Sequence, residues 1–252
     1  MTKAITISSG HAKFVSGARS IVDEVEQARK ITDAIAKALQ GTMQVNVFHD
    51  NTSKTQTENI NTIVKYHNST QRTADYSIHL NSAAGVTPED KGIEVLCYSD
   101  KERPHAQQLA DAISKATGLK NRGVKLRPEL GFLRGTNKEA YLIESYFVNS
   151  QADVKKMDEV SEIETFANAV ADAIATYNGL TLRQKPQTTK PEEKPMTQGN
   201  TLTTTAKADL KALLKEMHAE QIFTTDHSAR IETMTDGEAL GLLISVVQRT
   251  RK

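Results

Sequence analysis

A single cysteine, Cys97, among 252 residues excludes an intramolecular disulfide framework and any metal site built on two or four thiolates. It sits in the strand-like run Gly92 to Tyr98, where a small buried hydrophobe is the expectation rather than a nucleophile. Neither sign of charge is in excess, with 32 Lys and Arg against 31 Asp and Glu, so the chain lacks the footprint of a nucleic-acid binder. No apolar run is long enough to span a bilayer. Met1-Thr2-Lys3 leads straight into a strand with no charged leader, apolar stretch or cleavage site, so synthesis in the cytoplasm without a signal peptide is expected. His-Glu-x-x-His, Gly-x-Ser-x-Gly and phosphate-loop signatures are also missing, which leaves the usual rival hydrolases without an anchor. Aromatic residues are few, and the length suits one sizeable domain plus something small.

Against these absences, three apolar segments each carry one titratable residue at or near the C-terminal end. They are Ile5 to His11, Asp75 to Asn81 with His79, and Ala140 to Phe147 with Glu144. In an open parallel α/β sheet the C-terminal strand ends converge on one rim, and sites are built there. A fourth residue, Glu24, opens the helix expected over residues 21–39. Within that helix Ala28, Ile31, Ile35 and Ala38/Leu39 recur at steps of three and four and form the sheet-facing stripe. One step back along the stripe lands on Glu24, whereas Glu26 lies about 200° round the helix on the solvent side.

A carboxylate on a core-facing stripe needs a partner, because an unpaired buried charge is too costly to keep. We read His11, Glu24 and His79 as ligands of one Zn²⁺ at the rim, with Glu144 as the carboxylate working beside it. Each has a plainer alternative. Asp23 and Glu24 favour the dipole of a first helical turn, a strand histidine is often a satisfied core residue, and a buried glutamate can be held by an arginine or lysine. Desolvation by Leu142, Ile143, Tyr146 and Phe147 raises the pKa of Glu144 while a nearby Zn²⁺ lowers it, leaving a group able to exchange a proton near neutrality. Two histidines and a carboxylate leave a position open for water and substrate, as in hydrolytic rather than structural zinc sites.

The remaining segments fit an α/β fold, a twisted mainly parallel sheet flanked by helices. Strands are expected over residues 3–8, 43–48 and 92–98, and helices over 59–67, 103–117 and 160–177. A turn is expected at Asn121 to Lys125 and a short extended piece at Gly131 to Arg134. His49 and His67 have no strand-end placement and are expected at the surface or in support of the site. Asn81, Arg122 and Arg134 are candidates for substrate contact, the arginines for a carboxylate, although a solvated arginine is the plainer outcome.

The catalytic-type domain should end near Leu180. Residues 181–200, with Pro186, Pro191 and Pro195 among polar residues, read as a linker. Beyond it, Leu210, Leu213, Leu214 and Met217 form one helical stripe. Leu240, Leu243, Ile244 and Val247 form a second behind the capping-box spacing of Thr235 and Glu238. Residues 201–252 are therefore expected to be a small all-α module with a thin core, serving binding or homo-oligomerisation.

In order along the chain, Ser9-Gly10-His11, Ser16-Gly17-Ala18 before Asp23-Glu24-Val25, Ser77-Ile78-His79-Leu80-Asn81, Arg122-Gly123-Val124 and Leu142-Ile143-Glu144 followed by Phe147 resemble one family. Residues 1 to about 178 look like the zinc-dependent N-acetylmuramoyl-L-alanine amidases of the Amidase_3 type. The resemblance implies His11, Glu24 and His79 as zinc ligands and Glu144 as catalytic carboxylate, cutting the amide between the lactyl group of N-acetylmuramic acid and L-alanine in peptidoglycan. Ala12-Lys13 stands where many members have glycines, and Glu139-Ala140 replaces a common proline. With no leader and an appended module, the chain looks like a phage or prophage endolysin, held in the host cytoplasm until release, whose residues 201–252 would bind the bacterial cell wall. A zinc peptidase cutting within the stem peptide and a non-catalytic wall-binding protein are the alternatives.

Overall fold

The computed structural model describes residues 3–182, 204–219 and Ser228. The chain divides into two units, residues 1–184 and 185–252. In the first, six strands alternate with helices: β1 Ala4–Ser9, α1 Glu24–Leu39, β2 Gln44–Phe48, α2 Gln56–Ser69, β3 Ala74–Asn81, β4 Ile93–Cys97, α3 Arg103–Thr117, β5 Asn121–Leu126, α4 Gly131–Gly135, β6 Glu139–Phe147, α5 Gln151–Lys155 and α6 Val160–Tyr177. They form one sheet in the order β2-β1-β3-β6-β4-β5. The first four in that order run parallel, β4 is antiparallel to β6, and β5 is parallel to β4. The C-terminal ends of β1, β3 and β6 therefore share a rim with the N-terminal ends of β4 and β5.

The two-residue strand period sorts the core. Ile5 and Ile7, Tyr76 and Ile78, Tyr141 and Ile143 join Ile31, Ile35, Leu109, Ile113, Phe166 and Val170 of α1, α3 and α6 in the main core. The intervening residues supply a smaller cluster, in which Ala140, Leu142 and Leu96 meet Ile63 of α2 and Phe132 and Leu133 of α4. Because β1 is buried throughout, its polar members need internal partners. Thr6 Oγ1 lies 2.6 Å from Thr70 Oγ1, and Ser8 Oγ lies 3.0 Å from His67 Nε2.

Helix α1 starts at Glu24 rather than Ile21, because the Asp23 side chain accepts from the N–H groups of Val25 and Glu26. Such a cap stabilises a helix by about 1 kcal/mol. Its buried face is Glu24, Ala28, Ile31, Thr32, Ile35 and Leu39, the anticipated stripe with Thr32 added, and Glu26 is exposed. Helix α2 begins before the expected Asn59, at Gln56, behind a capping box of Thr55 and Glu58.

Two expectations are corrected and one element is added. Residues 121–125 form not a turn but edge strand β5, which pairs with β4 alone and so lacks the apolar alternation of an interior strand. Gly131 to Gly135 is helical rather than extended, too short for a period to register in sequence. Helix α5 was not anticipated, for the same reason.

In the second unit α7 spans Thr204–Ala219, with Leu210 and Leu214 buried and Leu213 half-buried. Met217, most of the expected linker and the whole stripe from Leu240 to Val247 with its cap at Thr235 lie outside the residues whose side chains are described. Among the described residues no helix is long and apolar enough to cross a membrane.

Candidate metal centre and its neighbouring carboxylate

Gly10 continues the β1 ladder, its N–H donating to Ile78 O at 2.9 Å, and His11 follows where the chain leaves the sheet. The His79 ring lies directly on the Gly10 backbone, so that a Cβ at position 10 would fall 1.9 Å from His79 Cε1. Gly17 plays the same part in the following loop, where a Cβ would meet Glu24 Oε2 at 2.5 Å and His11 Cδ2 at 2.9 Å. Two glycines thus make the room in which three ionisable side chains gather.

Glu24 is held from all sides and is only 2% exposed. Its Oε2 accepts from Ala18 N–H at 2.6 Å, while the Glu24 N–H donates back to Ala18 O at 3.0 Å. Its Oε1 accepts from Leu80 N–H at 3.0 Å and faces His79 Nδ1 at 3.1 Å and His11 Nε2 at 3.3 Å. The two rings stand edge to face, 5.2 Å apart. One potential ligand atom from each of His11, Glu24 and His79 lies within 4.8 Å of the others, a group that could hold a metal ion.

Burial alone would push the Glu24 carboxyl up, but hydrogen bonds from His11 and His79 hold it well below the usual carboxylate range. Burial would likewise lower the His79 imidazole, and its bond to Glu24 more than offsets that and raises it. Two ring nitrogens converging on one already occupied carboxylate oxygen, together with a buried His11 Nδ1 that has no hydrogen-bond partner, fit a cation better than a closed hydrogen-bond network. Two imidazoles and one carboxylate suit a borderline divalent ion such as zinc. The other nitrogen of His79, Nε2, lies 3.1 Å from Ser77 Oγ, the contact that orients the ring.

Glu144 lies on β6 opposite His79 in the β3–β6 ladder and opposite Glu94 in the β4–β6 ladder. The residue is partly exposed, yet Oε2 is sealed off with no hydrogen-bond partner. Burial pushes its carboxyl up to about 7, with His79 pulling down and Glu24 and Glu94 pushing up. No arginine or lysine pairs with Glu144 among the described residues, Arg127 acting on it only through space, while Arg122 Nε and Lys125 Nζ are taken by Glu94 at 2.8 and 2.5 Å. Glu94 escaped the sequence reading. The available signal was a carboxylate in the apolar run Ile93-Glu94-Val95, which leaves that residue 6% exposed.

Asn81 and Arg122 reach this rim, both bonded to Glu94, with Asn81 Nδ2 donating at 2.9 Å. Arg134 does not. It lines a cleft of about 750 Å³ with Lys3, Thr73 and Glu139, which stand at the N-terminal ends of β1, β3 and β6, so the sheet separates it from His79 and Glu144. His67 is fully buried rather than superficial, with Nδ1 2.7 Å from Asp75 Oδ1 and Nε2 bonded to Ser8, and Arg72 closes the network on Asp75 at 2.6 Å. Ser8, His67 and Asp75 make a nucleophile-like series, but with no surface on any member it serves packing. His49 bridges Ser9 and Asp33. Cys97 is buried, its thiol pushed up to about 11 by desolvation, and so is inert.

A carboxyl raised toward neutrality by burial, set beside a cluster able to hold a cation on an α/β rim, is an arrangement suited to metal-assisted hydrolysis. The Amidase_3 family model, N-acetylmuramoyl-L-alanine amidase, matches residues 5–176, and the chain belongs to that family. It is 27% identical to the endolysin of Bacillus phage SPP1 over 252 aligned positions, covering 92% of this chain and 90% of that protein. An uncharacterized protein of Clostridium perfringens is 29% identical over 178 residues; the match covers 68% of this chain but only 51% of that relative's length. Among solved structures, the catalytic domain of the CD27L endolysin targeting Clostridia difficile superposes with a TM-score of 0.62 at 26% identity, covering 69% of this chain and 97% of that one. An N-acetylmuramoyl-L-alanine amidase from Clostridium difficile 630 shares the fold with the same TM-score of 0.62 at 21% identity, covering 71% of this chain and 97% of that one.

Proposed function

We propose that this chain is a zinc-dependent peptidoglycan amidase of the phage endolysin type, cleaving the amide between N-acetylmuramic acid and L-alanine of the stem peptide. The observation that carries the reading is the convergence of His11 Nε2 and His79 Nδ1 on Glu24 Oε1, one strand away from Glu144.

His11, Glu24 and His79 would hold the ion, which supplies Lewis acidity for the scissile carbonyl and acidifies water. Backbone N–H groups of Ala18 and Leu80 orient Glu24, and Ser77 fixes the His79 ring. Glu144 takes a proton from the attacking water and returns it to the nitrogen of alanine as the C–N bond breaks. The products are a lactyl carboxylate on the glycan and a peptide with a free alanine amino group. A carboxyl group sitting near 7 is suited to both halves of that transfer.

The second unit would hold the enzyme to the wall, a reading supported by similarity to a phage endolysin over nearly its whole length. Self-association is its rival and predicts a concentration-dependent mass. Release from the host cytoplasm at lysis then brings enzyme and wall together. Mass analysis of purified walls after digestion tests the activity. The expected products are intact stem peptides beginning with alanine. New amino termini inside the stem peptide would favour the peptidase reading, and an undigested wall the non-catalytic one.

A further inference from the structure

Glu94 gathers three donors at the active rim. Oε1 accepts from Asn81 Nδ2, and Oε2 accepts from Arg122 Nε and Lys125 Nζ. One buried carboxylate facing two cations leaves the cluster with a positive charge. Arg122 spends only Nε on Glu94 and lays its guanidinium over the Phe147 ring, 4.9 Å from the centroid. Its terminal nitrogens make no hydrogen bond among the described residues, and the side chain keeps 31% of its surface in contact with solvent. A guanidinium clamped at Nε and along one face presents its outer fork with little freedom left to lose, the geometry that takes a carboxylate through two parallel bonds.

Placement sets the reach. Glu94 is directly across the ladder from Glu144, so their Cβ atoms are about 5 Å apart, and β5 lies about 4.8 Å further on. That offset of about 10 Å is between backbones; the Arg122 side chain folds back past Glu94 to the Phe147 ring of β6, so its guanidinium lies nearer to Glu144, and at about 3.5 Å per extended residue it falls beside the second residue of the leaving peptide. We infer that Arg122, positioned by Glu94 and Phe147 and assisted by Lys125, is a receptor for a free carboxylate on the residue following alanine, so that the enzyme distinguishes a carboxylate from a carboxamide there. This inference rests on the amidase reading and adds a specificity determinant to it.

The test uses the full chain and two soluble muramoyl peptides that differ only in carrying a carboxylate or a carboxamide on the residue after alanine. Wild type should favour the carboxylate by about ten-fold or more in kcat/KM, expressed mainly in KM, as for a charge-assisted pair. Arg122→Gln should bring the two substrates together, and Glu94→Gln, which keeps the guanidinium but loosens it, should narrow the ratio between them. A brace for the edge strand alone would leave the ratio untouched. Equal use of both substrates by wild type, or an unchanged ratio in Arg122→Gln, overturns the inference while leaving the amidase reading intact. If wild type cuts neither at the lactyl amide, the amidase reading falls and takes this one with it.

Discussion

Replacing Gly10 by alanine isolates the contact on which the proposed metal centre depends. Gly10 is not among the residues with positive φ, so alanine is acceptable to the backbone and acts through its Cβ alone. That atom would lie 1.9, 2.0 and 2.4 Å from His79 Cε1, Nε2 and Nδ1. Restoring van der Waals contact moves the ring by about 1.5 Å, against a tolerance of about 0.2 Å in metal–ligand distances. Loss of a supporting partner of a ligand already costs about 10- to 100-fold in affinity, and displacing the ligand itself should exceed that. The fold should suffer less, since overpacking costs about 1–3 kcal/mol. Competitive chelator titration should therefore show zinc affinity weakened by more than about 100-fold, while thermal melting of the metal-free protein falls by several degrees. An alanine variant that binds zinc as tightly as wild type would refute the account of how His79 is seated.

Other perturbations separate chemistry from folding. Glu144→Gln should abolish turnover and leave zinc bound; wild-type turnover would remove the residue from the reaction. Because the folded-state pKa of Glu144 is raised to about 7, its ionisation opposes folding progressively as pH climbs from its unfolded value toward 7. In chelator at pH 8.5 the glutamine variant should exceed wild type by up to about 3 kcal/mol in urea unfolding, with the difference vanishing near pH 4. Equal stability at both pH values would contradict the burial argument. Asp75→Ala strips the buried Arg72 and His67 of their common partner and should cost about 3–5 kcal/mol. A loss below 1 kcal/mol would mean that water replaces it. Residues 1–184 alone, which retain Leu180 and Leu182 against the core, should fold and hydrolyse soluble substrate while binding walls less well. Undiminished wall binding would end the targeting role of the second unit.

The convergence of His11, Glu24 and His79 was legible because position on a strand and phase on a helix are local properties. The stripe from Ala28 to Leu39 has only one phase, and that phase turns Glu24 inward and Glu26 outward. What stayed hidden depended on which elements become neighbours. Arg122 and Arg134 look alike in sequence, yet the antiparallel reversal of β4 and β5 carries Arg122 to the active rim, and α4 leaves Arg134 at the other. Glu94 acquires its role from donors 13, 28 and 31 residues away. His67 looks like a surface residue until the Arg72–Asp75 pair is brought beneath it.

Zinc stoichiometry tests the central claim most directly, measured by atomic absorption after exhaustive dialysis of the wild type and of His79→Ala. Wild type should retain one ion per chain together with activity, and the variant should lose both while keeping its far-ultraviolet circular dichroism. A folded variant with undiminished zinc, or a zinc-free wild type that digests walls at full rate, would contradict the assignment of His11, Glu24 and His79 to a single catalytic ion.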